Sequence, residues 1–362
     1  MPLSDYVTLG RSGLRVSPFC LGTMTFGDEW GAVSTNVAES LDVLGAYLDR
    51  GGNFIDTANI YTKGHSEKII GDYFREHCAK RDRVVIATKF CGNMYPGDPN
   101  GGGAGRKAIV HQVEDSLRRL QTDHIDLLWA HFWDRHTPIE ETMRTMDDLV
   151  RAGKVRHIGM SDHPAWVVAN ANGLAALNGW EPLIGLQIEY SLLQRTPEDD
   201  LLPMAQSLGL GVTPWSPLRG GVLSGKFRRD SRPPHGETRV AEDSKHLNER
   251  TYALVDELVA IAEELSATPA QVALSWVQSQ QAVTSTIIGA KRLSQLEDNL
   301  GALDITLTHD HHERLGNKSV YARHFPHNFL DNIASAIQNG TSINGLTSEP
   351  WPLSPKDDSE RH

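Results

Sequence analysis

The chain has 362 residues, a formal net charge of −11 and a pI near 5.8, with 39% hydrophobic and 22% charged residues. That composition excludes a collagen, a coiled coil and a disordered chain, while the length fits one large domain or two ordinary ones. The acidic balance shows no basic stripe, so nucleic acid is not an expected partner.

The opening stretch MPLSDYVTLGRSGL has no apolar signal core, which predicts a cytoplasmic location. No apolar run approaches the roughly 20 residues of a bilayer span, so no membrane partner is expected. Cys20, Cys78 and Cys91 form no C-x-x-C pair. A reducing compartment suits them better than a disulfide scaffold or a zinc ribbon, and no metal is expected.

Residues 6–18 (YVTLGRSGLRVSP) read as a β-hairpin turning near Ser12–Gly13, suited to plug one end of a barrel. Eight strand candidates follow, at 19–26, 53–58, 83–90, 123–131, 154–162, 183–191, 208–218 and 284–290. Amphipathic segments alternate with them at 37–50, 66–77, 107–120, 140–152, 165–177, 198–208, 250–266 and 293–302. This alternation predicts parallel strands with crossover helices, and eight units predict a closed (β/α)8 TIM barrel in the α/β class. An open doubly wound sheet is the competitor, but its G-x-G-x-x-G fingerprint after the first strand is absent. Residues 92–106 (GNMYPGDPNGGGAGR) read as a flexible loop inserted after the third strand, a lid beside the substrate mouth. Residues 1–325 are expected as the barrel and 326–362 as a partly disordered C-terminal extension.

Barrel enzymes place their chemistry at the C-terminal ends of the strands. Those ends carry Asp56, Lys89, His131, Ser161, Gln187, Trp215 and Gly289, with Tyr61 on the loop after Asp56. Singly, each has an ordinary role open to it: a helix cap, a solvated lysine, a loop aromatic, a hydrogen-bonded structural histidine. Jointly, an acid, a lysine, a tyrosine and a histidine at one mouth point to a site.

In this order the segments NFIDTANIY, IATKF, DLLWAH, GMSD, LQIEYSLL, PWSPLRGGVLSGK and IIGAKRLSQLEDNLGA resemble those of the aldo-keto reductases. The likeness runs from about residue 6 to about residue 325 and is nearest to the larger bacterial members, which are related to potassium-channel β subunits. It implies reduction of an aldehyde or ketone by hydride from a nicotinamide cofactor. Tyr61 would be the proton donor, Lys89 would lower the tyrosine pKa, Asp56 would anchor Lys89, and His131 would orient the carbonyl oxygen. Free tyrosine titrates near pH 10, so a neighbouring cation makes physical sense.

By the same resemblance Ser161, Asp162 and Gln187 would meet the carboxamide and Trp215 would stack on the nicotinamide ring. Asparagine is usual where Asp162 stands, and an ionised aspartate accepts hydrogen bonds without donating. Ser216, Leu218, Gly220 and Lys226 would close over the pyrophosphate. Gly289, Lys291, Arg292, Gln295, Asp298 and Asn299 would hold the adenosine end. The basic pair Lys291–Arg292 suits a 2′-phosphate, favouring NADPH over NADH. Phe26, Trp30, Phe132 and Trp133 are candidates for the substrate pocket, with core packing an equal account.

GGGAGRK fails the P-loop spacing because Ala108 follows Lys107. HDHHE (309–313) reads as a solvated face of a helix capped by Thr308 rather than a metal site. A nicotinamide-binding regulatory subunit with little turnover is the alternative function. A barrel hydrolase would want paired carboxylates or a metal cluster at the strand ends, and none is visible there.

Overall fold

In the computed structural model, which describes residues 1–231, 233, 240, 244 and 246–361, the β-branched runs form one ring of parallel strands. A two-strand hairpin, β1 (Val7–Thr8) and β2 (Arg15–Val16), precedes it. The ring is β3 (Phe19–Gly22), β4 (Phe54–Asp56), β5 (Val85–Phe90), β6 (Ile125–Ala130), β7 (Val155–Ser161), β8 (Leu183–Glu189), β9 (Gly211–Trp215) and β10 (Thr286–Gly289). From β3 to β9 each strand pairs with the next in the chain, and β10 returns to pair with β3, with Thr286 opposite Phe19. A parallel bridge between Val212 and Val283 joins β9 to the residues leading into β10. This is the (β/α)8 barrel that the alternation predicts.

Helices α1 (Val37–Asp49), α2 (His65–Glu76), α3 (Cys78–Arg81), α4 (Arg106–Leu120), α5 (Ile139–Arg151), α6 (Ala165–Asn178) and α7 (Leu201–Leu208) accompany the first seven strands. Two helices, α8 (Glu249–Glu264) and α9 (Pro269–Gln278), stand between β9 and β10, where the sequence pattern predicts one. Thr268-Pro269-Ala270-Gln271 separates them. The Thr268 hydroxyl accepts from the Gln271 amide, the Gln271 side chain answers the Thr268 amide, and Pro269 takes the first turn, where it needs no N–H partner. Helices α10 (Leu293–Gly301) and α11 (His309–Lys318) follow. Thr308 caps α11 as expected, and His309, Asp310 and Glu313 are exposed, but His311 is buried as the capping-box partner, which corrects the solvated reading of HDHHE at that one position.

Two apolar layers hold the barrel. The outer one packs Ile86, Leu128, Ile158, Met160 and Leu186 against helix residues such as Val113, Met146 and Leu258. The inner one is filled by Cys20, Phe54, Val85, Leu127, Trp129 and Ile287, with Leu9 and Val16 supplied by the hairpin. The hairpin therefore does plug the barrel. Trp129 is large for a barrel centre. It fits because Gly159 and Gly185 on the neighbouring strands leave room: a Cβ on either would stand 2.4 and 2.7 Å from the indole.

The glycine-rich segment is exposed over 95–100, as a lid would be, and anchored at its return end. Gly103 donates to the Cys91 carbonyl at 2.8 Å, Ala104 donates to Asp134 at 3.0 Å, and Thr142 donates to the Ala104 carbonyl at 2.9 Å. Ala104 is buried, and the segment is tied at its return end to the loop after β6 and to α5. Its glycines allow tight turns, which composition alone reads as looseness.

The chain divides into compact units at Met1–Ser319 and Val320–His362. The second contains α12 (His327–Leu330), α13 (Ala334–Gln338) and a hairpin of β11 (Ser342–Ile343) with β12 (Leu346–Thr347). Among the described residues no helix is long and apolar enough to cross a membrane.

Candidate active site

The C-terminal ends of β4 and β5 place an acid beside a lysine. Asp56 stands opposite Ala87, and Lys89 lies two residues further along β5, on the same face. Both side chains are buried and form an ion pair. Lys89 Nζ also donates to the Thr57 carbonyl at 2.8 Å and to the Tyr61 hydroxyl at 3.0 Å. Its three protons are thus all used. Burial opposes the lysine charge, yet Asp56 and Tyr61 hold its pKa above the ordinary value.

Tyr61 opens a short turn in which Thr62 and Lys63 adopt left-handed backbone, φ 45° and 58°. Thr62 secures that turn by donating to the Phe26 carbonyl at 2.6 Å and accepting from the Ser66 amide at 3.0 Å. Burial pushes the Tyr61 hydroxyl above its usual pKa, and Lys89 offsets this only in part. The lysine acts in the expected direction, but desolvation outweighs it, so the net lowering expected from the sequence is not found.

His131, just past β6, packs edge-on to Tyr61 at 5.9 Å between ring centroids and stacks on Phe132 at 3.9 Å. Burial, with the Lys89 charge, pushes its pKa down to about 2, so the imidazole is neutral. Its Nδ1 is buried and has no hydrogen-bond partner among the described residues.

On the opposite arc, Gln187 Nε2 donates to Asp56 Oδ1 at 2.9 Å. The sequence reading did not foresee this bond, because Gln187 and Asp56 lie 131 positions apart. The amide oxygen of Gln187 stays available as an acceptor. Ser161 ends β7, and Asp162 follows it in left-handed backbone at φ 53°. Asp162 accepts from Trp215 Nε1 at 3.0 Å and from Ser161 Oγ at 3.3 Å. Its side chain keeps contact with solvent, while the protein packed around it desolvates the carboxyl and pushes it up to about 6.

Trp215 ends β9, and Ser216 turns the chain with φ 55°. Leu218 is half-buried, Gly220 and Gly221 are left-handed at φ 66° and 97°, and Lys226 is exposed. Arg219, between them, forms an ion pair with Glu189 at the end of β8. Sequence reasoning passed over both residues, although Glu189 is a strand-end charge like Asp56 and Lys89.

The turn after β10 presents Gly289 with open space where a Cβ would stand. Gln295 braces it by accepting from the Lys291 amide at 2.9 Å, and Asn299 by donating to the Gly289 carbonyl at 3.2 Å. Arg292 is exposed at the start of α10. Asp298 accepts from Thr268 at 2.9 Å, so its carboxylate is engaged with the cap of α9.

Phe132 and Trp133 line a cavity of about 450 Å³ beside Asp162, between the loops after β6, β7 and β8. Trp30 packs edge-on to Tyr61 at 6.3 Å. Phe26 is fully buried in the outer core and presents no surface to the mouth, so packing accounts for it. Away from the strand ends, the ligand atoms of Asp28, Glu29 and His65 lie within 4.8 Å of one another, with His65 bound to Glu29.

The sequence profile of the Aldo/keto reductase family matches residues 18–319. The chain belongs to the aldo/keto reductase family.

This aldo/keto reductase is 39% identical over 312 residues to the uncharacterized oxidoreductase YrpG of Bacillus subtilis, covering 84% of the present chain and 92% of that protein. It is 35% identical over 328 residues to norsolorinic acid reductase of Aspergillus flavus, covering 88% and 82%. It is 34% identical over 330 residues to the NADP(+) aryl-alcohol dehydrogenase of Phanerodontia chrysosporium, covering 87% and 86%. The aldo/keto reductase is thus an oxidoreductase by family, and a dinucleotide would suit its barrel mouth. A Cβ on Gly289 would stand in open space, the Trp215 indole stands at a strand end, and the Gln187 amide oxygen has no hydrogen-bond partner among the described residues.

Proposed function

We propose that this aldo/keto reductase reduces an aromatic aldehyde or ketone to the alcohol, using NADPH. The hydrogen-bonded chain Asp56–Lys89–Tyr61, with a neutral His131 against the Tyr61 ring, carries this reading. The cofactor, when bound, supplies the hydride. Tyr61 gives its hydroxyl proton to the carbonyl oxygen. Its raised pKa keeps that proton in place at neutral pH, and Lys89, charged and 3.0 Å away, stabilises the phenolate that remains. Asp56 fixes Lys89 in position. His131, neutral at any working pH, donates an N–H to the same oxygen without adding a charge. Ser161, Asp162, Gln187 and Trp215 would hold the nicotinamide end. Ser216, Leu218, Gly220 and Lys226 would cover the pyrophosphate. Gly289, Lys291, Arg292, Gln295 and Asn299 would shape the adenosine end, with Asp298 supporting them through α9.

The preference for NADPH rests on Lys291 and Arg292 beside a relative named for NADP(+). The aromatic substrate rests on the Phe132 and Trp133 walls, beside relatives named for aryl alcohols and norsolorinic acid. The test is NADPH absorbance followed over a panel of aromatic and aliphatic carbonyls, repeated with NADH. Oxidation of NADPH by aromatic aldehydes is expected. Cofactor binding without turnover of any carbonyl would overturn the reading in favour of a nicotinamide-binding regulatory protein.

A further inference from the structure

The wall of the cavity beside the catalytic mouth carries one cation, Arg135. Arg135, in the loop after β6, lines the cavity with Phe132 and Trp133. Its guanidinium lies over the Trp133 ring, 5.1 Å from the centroid. It makes no hydrogen bond or ion pair among the described residues, although the chain is acidic overall. The other charges on these walls are committed. Glu189 is paired with Arg219, and Asp162 is turned toward Trp215 and Ser161. His163 shares Nδ1 with the Ser161 carbonyl at 2.6 Å, and burial lowers its pKa, which keeps it neutral.

The route from the chemistry to this cation is continuous. Tyr61 meets His131 edge-on, His131 stacks on Phe132, and Phe132 and Trp133 continue into the cavity wall. Aromatic walls of this kind suit a flat ring, and an arginine resting on an indole can offer a planar fork to a carboxylate. The volume, about 450 Å³, lies within the range of small-molecule sites.

We propose that the substrate is an aromatic carbonyl compound that carries a carboxylate, held by Arg135 at the end of the ring remote from the reacting carbonyl. This rests on the carbonyl-reductase reading above and adds the charge of the substrate to it. Arg135 is then a specificity-determining residue. The aldehyde is reduced as before; the carboxylate takes no part in the bond changes.

The experiment compares kcat/KM for 4-formylbenzoate and benzaldehyde with NADPH, in the unmodified protein, in Arg135→Ala and in Arg135→Lys. The unmodified protein should prefer 4-formylbenzoate about tenfold, chiefly through KM, the size expected of one charge-assisted hydrogen-bonded pair near the surface. The preference should shrink with added salt. Arg135→Ala should bring the ratio near one, and Arg135→Lys should restore part of it. A ratio of one or less in the unmodified protein, or a ratio untouched by Arg135→Ala, overturns the proposal while leaving the reductase intact. If neither aldehyde reacts, the carbonyl-reductase reading fails, and calorimetry with benzoate then decides for the site alone. Benzoate binding that Arg135→Ala abolishes sustains an aromatic carboxylate site; no binding removes it.

Discussion

Gln187 and Asp56 are bonded across the barrel, from the end of β8 to the end of β4, at 2.9 Å. The bond makes one unit of two arcs, the ion pair that serves Tyr61 and the wall that holds Ser161 and Trp215. Both ends are buried. Gln187→Leu removes a donor from a buried carboxylate, a loss of about 1.5–3 kcal/mol for a hydrogen bond to a charged group. Urea unfolding should register that loss as a lower midpoint with an unchanged m-value. Gln187→Glu should be worse, because it sets a second carboxylate against Asp56.

Tyr61→Phe keeps the ring that packs on His131 and Trp30 and removes only the acid. Steady-state reduction of an aromatic aldehyde should fall by about 10² to 10⁴, the usual worth of a positioned acid, with NADPH affinity retained. Lys89→Met should also slow the reaction, and should lower stability by about 3–5 kcal/mol because Asp56 is left buried and charged. The double variant should be little slower than the slower single one, since both act on one proton transfer. Additive losses would show that the lysine acts elsewhere.

Asp162 contributes one pH dependence that can be isolated. Its folded pKa, about 6, lies above the ordinary carboxylate range. A raised value means that the folded state prefers the proton. This contribution to stability is complete below the ordinary carboxylate pKa and is lost as pH rises through about 6. Asp162→Asn has no charge to lose. Its Tm relative to the unmodified protein should therefore climb between pH 5 and pH 8, by only about 1–2 °C because water reaches the group and screens it. A flat difference across that range would mean that Asp162 is an ordinary solvated acid. His131, with its pKa pushed down to about 2, should contribute no limb to the pH–rate profile in the same range.

Arg219 and Glu189 tie the turn after β9 to the end of β8. If that turn covers the pyrophosphate, cutting the tie should quicken cofactor release. Arg219→Ala and Glu189→Gln should each raise the NADPH off-rate several-fold in stopped-flow fluorescence. The double variant should release it about as fast as either alone, because the two residues share one interaction.

Much of this molecule could be read from its residues, and the failures have physical causes. The eight strands were legible because buried parallel strands are short apolar runs bounded by turns, and the strand ends pointed to Asp56, Lys89, His131 and Ser161 without any contact information. The start of α9 was also legible, in Thr268-Pro269-Ala270-Gln271, but the helical segment read there ended at 266 and the residues after it were left unassigned. Three features were not readable. The Gln187–Asp56 bond joins residues far apart in sequence. The net direction of the Tyr61 pKa depends on how much protein surrounds the hydroxyl, and charge spacing says nothing of that. The tying of Gly103 and Ala104 depends on Cys91 and Asp134, acceptors on separate loops.

The indole of Trp129, with Leu9 and Val16 beneath it, leaves the barrel a cul-de-sac. Whatever is bound among Tyr61, His131 and Trp215 has come in by one doorway and must go out by it. Two molecules in such a space form a queue, and the one seated deeper waits for the other. If cofactor and substrate both bind there, turnover would be governed by traffic as well as by chemistry, and Phe132 and Trp133, which line the neighbouring cavity, would set its pace without touching a reacting atom.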